Sequence, residues 1–161
     1  PEMQCSLDRL AGYRAALADA GIPEDPDLIY AGDFFRPPGY AAAQRFLSLD
    51  NPPTAIFAAN DLSAFGVMDG ILQRGLRVPE DISLIGFDDI WEAGHVHPGL
   101  TTVRQPLEEM GRTAARLLLE RLNNPDLPGE RVEMPTELVI RESCAPVRQQ
   151  VGIAPDKNRR Y

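Results

Sequence analysis

Two stretches constrain this chain more than any other: Pro53-Thr-Ala-Ile-Phe-Ala-Ala-Asn-Asp-Leu62 and Ile82-Ser-Leu-Ile-Gly-Phe-Asp-Asp89. Each is a short apolar run that stops abruptly at a carboxamide or a carboxylate. Continuous aliphatic and β-branched runs of this length read as strands buried on both faces, the mark of a parallel sheet covered by helices. In such sheets ligands bind just beyond the carboxyl ends of the strands. Asn60 and Asp88 stand at those two ends and read as the polar rim of a small-molecule site.

The rest of the chain fits that frame. A length of 161 residues is one domain's worth, enough to bury a core. The net charge of −8 argues against this chain gripping nucleic acid, where a basic patch must neutralise phosphate. Cys5 and Cys144 fit no metal spacing and read as free thiols in a reducing compartment. No apolar run approaches the ~18 residues that span a bilayer. The chain opens almost directly into a helix, so it reads as a piece of a longer protein.

Along the chain, residues 6–20 read as a helix with Ser6 as cap and Gly21 and Pro23 as stops. Residues 28–31 read as a strand. The Pro37-Pro38 turn leads to a helix over 40–48, then come a strand over 55–59, a helix to Arg74 and a strand over 82–87. Residues 91–99 are irregular and 100–103 β-like. Leu107, Met110, Ala114, Leu117, Leu118 and Leu122 stripe an amphipathic helix over 107–123, and a last strand covers 137–141. Helix and strand alternate, giving an α/β unit. Gly66 and Gly70 read as places where a helix approaches the sheet or a partner.

Arg9, Phe34, Asn60 and Asp88 each open or follow an element at one predicted edge of the sheet. A guanidinium, a carboxylate and a carboxamide satisfy neighbouring hydroxyls or a base edge, and an aromatic face covers the apolar side of a ligand. Asn60 and Asp61 also read as a helix cap, Phe34 as core and Arg9 as a surface ion pair. Asp88-Asp89 has neither a phosphate loop nor a paired lysine beside it, and reads as one ligand contact plus a cap or surface group. His95-Val-His97 lacks metal-ligand company. No catalytic residue, metal site or cofactor is expected.

Taken in order, the motifs resemble the LacI/GalR family of bacterial transcription regulators. They are Asp8-Arg-Leu-Ala-Gly-Tyr13, Gly32-Asp-Phe34 with Gly39-Tyr40, Pro53 to Asp61, Gly75 to Asp89, Pro98 to Pro106, Met110-Gly111 and Leu138 to Ser143. The resemblance implies a periplasmic-binding-protein-like type I fold present as a fragment. Its α/β, parallel-sheet, three-layer Rossmann-like lobe would be one of two that close on a small molecule. Residues 1–104 would form the C-terminal lobe without its first strand. Residues 105–130 would be a crossing segment and a helix belonging to the N-terminal lobe, 131–145 a returning strand and 146–161 a poorly ordered tail. A helix parted from its lobe would leave an apolar face open, with self-association to follow.

The resemblance also implies that Arg9, Phe34, Asn60, Asp88, Gln105 and Leu107 meet an effector, a sugar or sugar derivative or else a purine. Phe65 and the loop carrying His95, Val96 and His97 match surfaces that pair protomers into a homodimer. Pro37-Pro38 and Trp91 depart from the pattern and leave the ligand's shape open. The function implied is that of a non-enzymatic cytoplasmic sensor with no membrane contact. It would control operator DNA through a helix-turn-helix absent from this chain. A transport-linked periplasmic sugar-binding protein of the same fold is the alternative.

Overall fold

The computed structural model describes residues 3–146, so the tail expected beyond them lies outside the described residues. Four strands, β1 (Ala55–Phe57), β2 (Ser83–Asp88), β3 (Thr101–Arg104) and β4 (Glu137–Val139), form one sheet in the order β1-β2-β3-β4. The first three are parallel, and β4 runs antiparallel to β3. The helices are α1 (Gln4–Asp19), α2 (Arg36–Phe46), α3 (Asp61–Gln73) and α4 (Leu107–Asn123). Short 3₁₀ turns lie at Pro26–Leu28 and Trp91–Gly94.

The core lies between one face of the sheet and the α2–α3 pair. Phe46, Ile56, Ala64, Val67, Met68, Ile71, Leu84 and Leu100 are all buried there. The two helices pack tightly because glycines remove the side chains between them. A Cβ on Gly66 would overlap the Arg36 carbonyl oxygen, and one on Gly70 would lie 2.6 Å from the Ala43 Cβ. These glycines therefore face α2, neither the sheet nor a partner.

Strand alternation turns Leu84 and Gly86 toward α3 and sends Ile85 and Phe87 to the opposite face. The register adds Phe57, Val103 and Leu138 to that opposite face. Phe57 and Leu138 are 40% and 53% exposed.

Three expectations change. Residues 28–31 are not a strand: Ile29 is extended, but the segment has no ladder partner among the described residues. A strand exists only through its neighbour, and β1 likewise has one unpaired edge. Second, α2 begins at Arg36, with Pro37 and Pro38 inside its first turn, where a missing N–H breaks no helical bond. Third, Ser6 does not cap α1, because the Met3 carbonyl accepts the Ser6 and Leu7 amides and the helix starts at Gln4. Helix α4 matches its expected bounds, yet none of its residues is buried, and Leu118, Leu119 and Leu122 are at least 60% exposed. No helix among the described residues is long and apolar enough to cross a membrane.

Candidate functional site

The carboxyl ends of β2 and β3 and the approaches to α2 and α3 meet α1 at one corner. Arg9, projecting from α1, lays its guanidinium 3.9 Å from the Phe87 ring centroid and 5.9 Å from that of Phe34. Its Nη2 lies 3.9 Å from Asp88 Oδ1. The same carboxylate oxygen accepts a 2.6 Å hydrogen bond from Gln105 Nε2. Arg9, Phe34, Asp88 and Gln105 thus converge, joined by Phe87. An open hollow of about 440 Å³ beside them is lined by Cys5, Asp8, Arg9, Gly12, Tyr13, Phe57, Phe87 and Gln105.

Asn60 joins this group through the backbone. It caps α3 by accepting from the Ser63 amide at 3.0 Å, and its Nδ2 donates to the Phe34 carbonyl at 3.0 Å. At 7% exposure, with both ends of the carboxamide engaged, Asn60 pins Phe34 in place. The pin matters because Phe34 sits at φ 70°, a conformation L-residues rarely adopt. Asp33 steadies the same kink by accepting from the Phe35 amide. Leu107 stands apart, at the root of α4, on a separate open hollow of about 630 Å³ bordered by Asp89, Arg104, Gln105 and Arg112. Gln105 borders both hollows.

Behind the corner lies a polar framework that the linear pattern did not reveal. Asp61 is fully buried. Its Oδ1 accepts from Thr102 Oγ1 at 2.6 Å and its Oδ2 from the Ile90 amide at 2.9 Å. Burial pushes the Asp61 carboxyl above its ordinary value, the Thr102 and Ile90 hydrogen bonds pull it back, and the nearby Asp88 and Asp89 charges add to the rise. Gly86 makes room for it, since a Cβ there would overlap Asp61 Oδ1. A glycine inside a strand pattern is the signal that could have disclosed this close approach.

Asp89 is no surface acid. Its side chain is 7% exposed, with Oδ2 held by Arg104 Nε at 2.7 Å and Oδ1 by Arg141 Nη2 at 2.6 Å. Burial pushes its carboxyl up, but the hydrogen bonds and charges of Arg141 and Arg104 outweigh that and hold it below the usual range.

The residues matched to a protomer-pairing surface separate. Phe65 is 6% exposed and belongs to the core, because the inward face of α3 carries it. Val96 is half-buried against that core, while His95 and His97 are exposed. Trp91, 72% exposed, stacks on the His95 ring at 3.7 Å and points into neither hollow. Cys5 and Cys144 are free and exposed.

Compared with known proteins, residues 3–144 match the periplasmic binding protein-like domain. The chain is 40% identical over 138 residues to the Bacillus subtilis protein named "Probable HTH-type transcriptional repressor ExuR", covering 86% of this chain and 41% of that protein. It therefore spans about two fifths of the length of the curated relatives it matches. Among solved structures it resembles the transcriptional regulator CelR–cellobiose complex, with 40% identity and a TM-score of 0.80 over 85% of this chain and 42% of that one. It also resembles a LacI family transcriptional regulator from Enterococcus faecium with bound ribose, with 36% identity and a TM-score of 0.80 over 87% and 52%.

Proposed function

We propose, from the premise that this chain belongs to the periplasmic-binding-protein-like family in its LacI/GalR regulator branch, that it is the larger part of one lobe of an effector sensor. The observation that carries the proposal is the convergence of Arg9, Asp88 and Gln105, with the Arg9 guanidinium 5.9 Å from the Phe34 ring centroid and 3.9 Å from that of Phe87. The guanidinium fork and the carboxylate suit vicinal hydroxyls, which donate to Asp88 and accept from Arg9. The rings cover the apolar face of a sugar. A sugar or sugar derivative is therefore the effector class, in keeping with cellobiose and ribose in the similar structures. A purine edge could use the same donors and acceptors. Asn60 serves by fixing Phe34, and Leu107 by closing the far side from α4.

In this reading residues 105–130 belong to a second lobe, and the effector favours one arrangement of the lobes over another. Regulation requires unequal affinity for the two arrangements. A homodimer paired through the exposed His95 and His97 loop carries the shift to helix-turn-helix heads outside this chain, and so to operator DNA. The setting is the cytoplasm. The test is a thermal-shift panel of sugars, phosphorylated sugars and nucleobases on the intact protein, followed by operator binding with the strongest hit. Asp88→Ala should abolish the response, and an unchanged response overturns the assignment.

A further inference from the structure

The effector contacts and the crossing segments meet at one strained turn. Asp88 and Asp89 are consecutive non-glycine residues at φ 115° and φ 57°. Such conformations persist only where the surroundings over-determine them. Three sets of partners hold this one. Asp88 is held on the cleft side by Gln105 and Arg9, and Asp61 grips the Ile90 amide just beyond. Asp89 holds Arg104 at the end of β3 and Arg141 just past β4.

Those two arginines are themselves tied to the crossing strands. Arg104 Nη1 reaches Glu137 of β4 at 3.2 Å. Arg141 Nη1 donates to the Leu100 carbonyl at 2.8 Å, and its backbone amide donates to Thr101 Oγ1 at 2.9 Å. One carboxylate therefore clasps the outgoing and returning strands together, one residue from the acid that faces the cleft.

We propose that Asp89 is a positioning residue that couples the state of Asp88 to the two crossing strands. The inference rests on the effector reading above for its biological meaning. When Asp88 changes partner, the shared turn moves, and Asp89 carries that movement to Arg104 and Arg141. Without Asp89 the returning strand no longer follows Asp88, which keeps its own contact with the outgoing segment through Gln105.

The test needs no ligand, so its failure is distinct from failure of the effector assignment, which the Asp88→Ala operator assay reads. Hydrogen–deuterium exchange is followed in the intact protein for peptides covering residues 100–106 and 137–142, with residues 63–71 of α3 as internal control. Wild type, Asp88→Asn, Asp89→Asn and the double variant form a cycle. Asp88→Asn should accelerate exchange of the 137–142 peptide about fivefold or more, and by less than about twofold in the Asp89→Asn background, a ratio of the size expected of contacting residues. The 100–106 peptide, which Asp88 touches through Gln105, responds in both backgrounds. The control peptide should be unchanged throughout, which a merely structural defect would not permit. Additive effects at 137–142, or an Asp88→Asn change that never reaches 137–142, overturn the proposal. If Asp89→Asn does not fold, Arg141→Gln, which removes the Asp89 contact just past β4, takes its place in the same cycle, with the same two outcomes.

Discussion

Replacing Asp61 gives the sharpest test of the framework behind the site. Its two oxygens accept from the Thr102 hydroxyl and the Ile90 amide, and the side chain has no exposure to water. Asp61→Ala strands both donors, each costing about 1–3 kcal/mol, so roughly 2–6 kcal/mol together. That is a large fraction of the about 5–15 kcal/mol that holds an ordinary domain folded. Asp61→Asn keeps both contacts if the Thr102 hydroxyl turns to accept, and should stay within about 1.5 kcal/mol of wild type. Because burial raises the Asp61 carboxyl, the folded state holds its proton more tightly than the unfolded state. Between the ordinary value near about 4 and the raised one, the wild type loses stability as pH rises, a slope Asp61→Asn lacks. Urea unfolding of the intact protein at several pH values from about 4 to 7 measures both effects. An Asp61→Ala variant within about 1 kcal/mol of wild type would refute the reasoning. So would a wild-type-minus-Asp61→Asn difference that does not fall with rising pH.

Gly66→Ala should cost about 1–3 kcal/mol in the same unfolding assay, because the new methyl meets the Arg36 backbone and forces α2 from α3. Gly12→Ala, with open space around it, should not destabilise and serves as the control. Leu118→Gln with Leu122→Gln should leave the stability of the 161-residue chain within about 0.5 kcal/mol per site. The same pair should lower its self-association in sedimentation velocity, since those side chains are 60% and 68% exposed.

Much of the fold was legible because periodicity and punctuation agreed. The α4 bounds followed from a clean stripe with Pro106 before it and Asn124-Pro125 after it. The approach to α2 was misread because Pro37-Pro38 suits a turn and the first turn of a helix equally well. The strand at 28–31 was misread because local sequence supplies an extended backbone while only a neighbour supplies a ladder. At the site, Asn60 and Asp88 stood out as polar groups ending apolar runs. Phe87 did not, because an aromatic in a strand pattern looks like any core residue. Asp61 was hidden behind a cap reading that Asn60 fulfils instead. Asp89 was read as a cap or surface group because its arginines are 15 and 52 residues away.

The kink at Phe34 bears on how tightly a guest can be held. With its carbonyl tied to Asn60 and the next amide tied to Asp33, the ring is aimed before any visitor arrives. A loop frozen during folding loses little disorder at the moment of capture, where each mobile side chain would otherwise forfeit about 0.5–1.5 kcal/mol. Selectivity at this corner should therefore respond to the shape of a molecule more than to the adaptability of the protein.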